Sequence, residues 1–132
     1  MKQILLIEDD AGDILLIKQV LSQASVPVRL RVAMDGEQAL QVLADPDFKP
    51  DLIILDLNIP KVPGLALLER CKPHAPVVVF SALSKPTEIQ KAMELGVREF
   101  VQKPNDFQEF GRAVLKMVQD WVCPGSDCIA SG

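Results

Sequence analysis

Residues 51–58 read Asp-Leu-Ile-Ile-Leu-Asp-Leu-Asn, and residues 4–10 read Ile-Leu-Leu-Ile-Glu-Asp-Asp. Each is four apolar residues in unbroken succession, ended by acid. A strand with one wet face alternates apolar and polar residues; a strand buried on both faces does not. Unbroken runs of this length therefore predict strands inside a helix-covered parallel sheet, over Lys2–Ile7 and Leu52–Leu55. Val77–Phe80 (VVVF) is a third such run.

Working outward, the segments between these runs take a helical period. Ala11–Gln23 places Ile14, Leu15, Ile17 and Leu21 at helical spacing. Helices are likewise predicted over Asp35–Ala44, Pro63–Cys71, Thr87–Leu95 (stopped by Gly96) and Asp106–Val122. Two further strands are predicted at Val28–Val32, which alternates strictly, and at Arg98–Val101, which is partly polar. Strict βα alternation implies an α/β fold with a parallel sheet and helices on both faces. The two partly polar strands belong at the edges, which gives the order 2-1-3-4-5. Right-handed crossovers then put the first and fifth helices on one face and the other three on the opposite face.

The chain has 132 residues, 48% hydrophobic and 24% charged, which suits one globular domain. We expect that domain to span residues 1–122, with 123–132 (CPGSDCIASG) a disordered tail. Charged residues break every apolar run well short of a membrane span. The N-terminal run is too short for a signal peptide. Fourteen basic against eighteen acidic residues give a net charge of −4, which argues against nucleic-acid binding. Three cysteines, an odd number, fit a reduced cytoplasmic protein with free thiols, and Cys123 and Cys128 lack a second pair of zinc ligands.

In an open α/β sheet, ligands bind beyond the carboxyl ends of the strands, where the strand order reverses. Here that point lies between the first and third strands. Glu8, Asp9 and Asp10 follow one; Asp56, Leu57 and Asn58 follow the other. Converging carboxylates need a cation, and oxygen donors without His or Cys favour Mg²⁺ or Mn²⁺. Taken alone, the acidic triplet would also serve as a helix N-cap. Ser81 follows the fourth strand and Lys103-Pro104 the fifth. A hydroxyl and an ammonium beside metal-bound carboxylates suit a nucleophilic carboxylate attacking phosphorus. Asp56, at the end of a central strand, is the best-placed nucleophile.

The motifs Ile4–Asp10, Asp51–Pro60, Val79–Ala82 and Phe100–Pro104 resemble the receiver domain of two-component response regulators. The resemblance covers residues 1–122 and implies the flavodoxin-like doubly wound sheet. It implies that Asp56 accepts a phosphoryl group from a sensor histidine kinase. It further implies that Asp10, Asp56 and the Asn58 carbonyl ligate Mg²⁺, with Asp9 holding a metal-bound water. Lys103 and Ser81 would contact the phosphoryl group, Phe100 and Ser81 would form the switch, and the Lys103–Pro104 peptide would be cis. The Glu-Asp-Asp-Ala-Gly-Asp opening and the Asp-Trp near the end also look like stand-alone receivers associated with bacterial phytochrome kinases. Those often carry a longer segment before the third strand than Asp45–Pro50.

Several positions depart from the common pattern. Ser81 stands for threonine, Phe100 for tyrosine, and Pro63 for aspartate before Gly64. Leu83 would shield the phosphoryl group from water and slow its loss. A Mg²⁺-dependent phosphatase or phosphotransferase would want an acid two residues after the nucleophile, where Asn58 stands. A flavin or nucleotide site would want a glycine- or hydroxyl-rich first loop instead of three acids. A phosphorylation-independent scaffold would not need all these side chains. We therefore expect a signalling receiver rather than an enzyme. With no output domain after the last helix, a partner protein would read the fourth helix, fifth strand and fifth helix. The stripe of Met117, Trp121 and Val122 leaves monomer or weak homodimer open, with Trp121 expected to be partly exposed.

Overall fold

The computed structural model describes residues 2–24, 27–82 and 84–122. Leu83, Cys123 and Cys128, together with the expected tail 123–132, lie outside the described residues. The elements alternate without exception: β1 (Lys2–Ile7), α1 (Ala11–Ser22), β2 (Val28–Ala33), α2 (Gly36–Ala44), β3 (Leu52–Leu55), α3 (Gly64–Cys71), β4 (Val77–Ser81), α4 (Pro86–Glu94), β5 (Glu99–Gln102) and α5 (Phe107–Trp121). All five strands pair in parallel in the order β2-β1-β3-β4-β5. The fold is the flavodoxin-like α/β sheet expected from the sequence.

The apolar runs occupy the centre for the reason they predicted. Successive residues of a strand point to opposite faces, and here both faces are covered. Leu5, Ile7, Ile53, Leu55, Val77 and Val79 pack under α2, α3 and α4. Ile4, Leu6, Leu52, Ile54, Val78 and Phe80 pack under α1 and α5. On that second face Phe80 and Phe110 meet with ring centroids 5.0 Å apart, inclined at 58°. The edge strands β2 and β5 keep the partly exposed residues that gave them away.

Small differences follow from hydrogen bonding. β4 runs one residue further than expected, to Ser81, because Ser81 pairs with Gln102. α4 ends at Glu94, one residue short of the expected Leu95, with Leu95 as its cap; Gly96 follows with φ +98°, and Val97 N–H turns back to Ala92 O at 3.1 Å. Of the α5 stripe, Met117 and Val122 are buried. Trp121 is half-buried, and its indole N–H donates to Glu99 Oε1 at 3.0 Å. Among the described residues no helix is long and apolar enough to cross a membrane.

Register delivers the functional residues. Ile7 lies beside Leu55, so Glu8 and Asp56 emerge next to each other, and Asp56 N–H donates to Ile7 O at 3.0 Å. Lys103 N–H donates to Ser81 O at 2.9 Å, which joins the other two strand ends in the same way. Because the central strands are packed on both sides, Ile54→Ala is expected to cost about 2–5 kcal/mol of unfolding free energy in a urea titration. Arg29→Ala on exposed edge strand β2 should cost less than about 0.5 kcal/mol.

Candidate functional site

Asp56 sits one residue past β3, buried, with both carboxylate oxygens engaged. Its Oδ1 accepts the Ser81 hydroxyl at 3.0 Å and the Asn58 N–H at 2.9 Å. Its Oδ2 accepts Lys103 Nζ at 2.8 Å. The Asn58 amide in turn donates to Ser81 Oγ at 3.3 Å. Burial alone would raise the Asp56 carboxyl. Hydrogen bonds from Lys103, Asn58 and Ser81, with the lysine charge, outweigh it and hold the group below its ordinary value. Asp56 is therefore ionised at neutral pH.

Lys103 is the hub. Its ammonium touches Glu8 Oε1, Asp13 Oδ2 at 2.9 Å and Asp56 Oδ2, and only 8% of its side chain is exposed. Burial disfavours the charge on a lysine, but the three carboxylates outweigh that and push the ammonium above its ordinary range. Glu8 is folded inward, with Oε2 accepting the N–H groups of Asp9 at 3.0 Å and Asp10 at 3.1 Å. Desolvation pushes its carboxyl up to about 7, against the pull of Lys103.

The expected acidic set needs one correction. Carboxylate oxygens of Glu8, Asp9 and Asp56 lie within 4.8 Å of one another and could hold a cation. Asp10, expected as a direct ligand, is outside that group. It is the N-cap of α1, with extended backbone, and its Oδ1 accepts Asp13 N–H at 2.9 Å. Because α1 begins at Ala11, the first-turn N–H groups claim the Asp10 carboxylate. Glu8 takes the inward place. Asp13 was not foreseen as a partner of Lys103. It lies one turn into α1, and only the packing of that helix shows that it faces the site.

The second correction concerns the backbone. The described peptide bonds are all trans, including Lys103–Pro104, which was expected to be cis. The trans form is favoured by about 0.5–1 kcal/mol before proline. With it, Lys103 already donates its N–H to Ser81 O and carries its ammonium to the carboxylates. Phe100 is half-buried against the core under α2–α4, next to Val79 in the sheet. Cys71 ends α3 half-buried, and burial pushes its thiol up, which makes it a poor nucleophile at neutral pH.

A doubly wound sheet with a buried, lysine-paired aspartate and an acidic cluster at its carboxyl end belongs to a definite class, and comparison with known proteins identifies it. Residues 4–115 match the response regulator receiver domain, and the chain belongs to that family. It is 30% identical over 118 residues to the sporulation initiation phosphotransferase F of Bacillus subtilis, covering 87% of this chain and 92% of that one. It is 40% identical over 105 residues to a protein-glutamate methylesterase/protein-glutamine glutaminase of Myxococcus xanthus, covering 76% of this chain. This chain spans only 29% of that methylesterase's length, and similarly small shares of several other relatives. Among solved structures, the phosphorylated cyanobacterial phytochrome response regulator RcpA superposes with a TM-score of 0.87 at 30% identity. That match covers 94% of this chain and 96% of RcpA. The Mn²⁺-bound response regulator Rcp1 superposes with a TM-score of 0.84 at 28% identity, covering 92% and 94%.

Lys103 is the counter-charge for the whole site, and its removal has a definite pH signature. In Lys103→Ala, Glu8, Asp13 and Asp56 face one another without a cation, so the folded pKa values of Glu8 and Asp56 rise above the unfolded ones. Stability contributed by such groups is present below the unfolded pKa and lost as pH rises through the folded pKa. Relative to the unsubstituted protein, Lys103→Ala should lose about 1–3 kcal/mol between about pH 5 and pH 8 in urea titrations. An equal pH dependence in the two proteins would contradict the assignment of Lys103 as the counter-charge.

Proposed function

We propose that this receiver takes a phosphoryl group onto Asp56 from the phosphohistidine of a sensor histidine kinase. The observation that carries this reading is the surroundings of Asp56: an ionised carboxylate at a strand end, met by an ammonium, a hydroxyl and a backbone N–H. In the transfer an Asp56 oxygen forms the new O–P bond while the N–P bond breaks. The imidazole nitrogen leaves with that bond's electron pair. Little proton transfer is needed, so positioning and charge do most of the work. Lys103, released from the phosphorylated carboxylate, pairs with a phosphoryl oxygen, and the Ser81 hydroxyl donates to another.

The oxygen donors of Glu8, Asp9 and Asp56 fit a hard divalent ion, and we assign Mg²⁺, or Mn²⁺ in its place. Asn58 is proposed to add its backbone carbonyl. Bound there, the ion would neutralise charge developing on the phosphoryl oxygens. Its charge would stand in for the ammonium against Glu8 and Asp56, leaving Lys103 free to follow the phosphoryl group.

Movement of Ser81 towards the phosphoryl group would vacate space on the β4 edge. Phe100, which pairs with Val79 two residues before Ser81, would turn inward and reshape the α4-β5-α5 surface that a downstream protein reads. We assign the receiver unit to residues 1–122. The phosphorylated state of RcpA and the phosphotransferase named among the relatives are consistent with the same chemistry in those proteins.

Incubation with acetyl phosphate and Mg²⁺ should add one phosphoryl mass to the intact chain. The adduct should be lost in Asp56→Asn and when Mg²⁺ is withheld. An adduct that survives in Asp56→Asn would move the acceptor elsewhere; none on folded protein, even from a kinase, would end the phosphoacceptor reading.

A further inference from the structure

The loop that follows Asp56 is built on a strained turn. Lys61 has φ +70°, and Val62 N–H donates to Pro60 O at 2.9 Å across it. That is a γ-turn with a positive central φ, a rare and strained form. Lys72, the other described non-glycine residue with positive φ, merely closes α3 in a left-handed cap. Lys61 closes no helix. Strain of this kind persists only where the surroundings over-determine it.

The surroundings here are the N-terminus of α2. Gly36 N–H donates to Pro60 O at 3.2 Å, the same carbonyl that closes the γ-turn. A Cβ on Gly36 would lie 2.3 Å from Val62 O and 2.4 Å from Val62 Cβ, so the helix backbone rests directly on the loop. The Lys61 ammonium stands 3.6 Å from Asp35 Oδ2 and 3.7 Å from Glu37 Oε2. Asp35 is buried and caps α2 through Gln38 N–H at 2.8 Å. The far end is pinned as well. A Cβ on Gly64 would lie 2.7 Å from Leu57 Cα, and Gly64 N–H donates to Leu57 O at 3.1 Å.

Between these pins lies Asn58, which holds Asp56 through its N–H and Ser81 through its amide. We infer that Gly36 and the Lys61 γ-turn it clamps are positioning elements for the Asp56 site, so that α2 sets how readily the site binds its metal and is phosphorylated. The inference rests on the phosphoacceptor reading of Asp56. The ion pairs of Lys61 are half-exposed and hold little by themselves. The shared Pro60 carbonyl and the missing Cβ of Gly36 hold the loop.

The test compares Gly36→Ala, Lys61→Gly and Lys61→Arg with the unsubstituted protein. Three readouts are taken: urea midpoint, Mg²⁺ affinity by calorimetry, and phosphorylation rate with acetyl phosphate. Gly36→Ala forces the loop off the helix and should slow phosphorylation by about tenfold or more. It carries a risk of unfolding, so Lys61→Gly provides the second arm. Glycine relieves the positive-φ strain but loosens the turn. Lys61→Gly should keep or raise the urea midpoint while Mg²⁺ affinity and phosphorylation rate each fall about threefold or more. Lys61→Arg, which keeps side chain and charge, should stay within about twofold of the unsubstituted rate and affinity. Unchanged Mg²⁺ affinity in Lys61→Gly, or an unchanged rate, overturns the positioning role. If the unsubstituted protein takes no phosphoryl group, the Asp56 reading fails instead, and the Mg²⁺ affinities alone decide whether the clamp shapes the site.

Discussion

Four charged side chains meet at the carboxyl end of the sheet: the ammonium of Lys103 and the carboxylates of Glu8, Asp13 and Asp56. Like charges packed this closely out of water repel one another strongly. The fold tolerates them because one cation touches all three. Everything that places Lys103 therefore matters: the β4–β5 pairing, the Lys103 N–H to Ser81 O hydrogen bond, and the start of α5 just beyond. The compensation is incomplete, with three carboxylates to one ammonium. That residual negative charge suits a cation, and burial, with the Asp56 charge beside it, pushes the Glu8 carboxyl up to about 7.

The core and the site are two ends of the same strands. β1, β3 and β4 are apolar on both faces because helices cover both, and this buries their register beyond easy slippage. A one-residue slip of β3 against β1 would turn each side chain into the opposite core, where it does not fit, and carry Asp56 away from Glu8. Hydrophobic packing thus sets the distances on which the polar chemistry depends. The loop after β3 adds a finer adjustment. Its γ-turn is strained by itself and held only because α2 starts with a glycine where the loop passes over it.

Much of this was legible in the residues. The unbroken runs at Leu52–Leu55 and Val77–Phe80, set against the alternation of Val28–Val32, separate central strands from edges, because burial on one face or two leaves different patterns. Asp56, Ser81 and Lys103 were legible as a set because parallel topology brings successive strand ends to one rim. The acidic triplet was ambiguous. Glu8, Asp9 and Asp10 are adjacent and chemically alike, and both a helix cap and a cation site accept any of them. Asp10 went to the cap, and Glu8 turned inward.

The sequence by itself determined the element order, the strand order and the grouping of the Asp56 carboxylate with the Ser81 hydroxyl and the Lys103 ammonium. Each of these follows from local period or from topology. Only the tertiary structure decided which acids share the site, that Asp13 reaches Lys103 from α1, that Lys103–Pro104 is trans, and that Gly36 supports the loop after Asp56. Those depend on where one helix start falls and on how closely two backbones approach across tens of residues. Neither local propensity nor hydrophobic pattern encodes a contact of that kind, because it exists only once the helices have packed against the sheet.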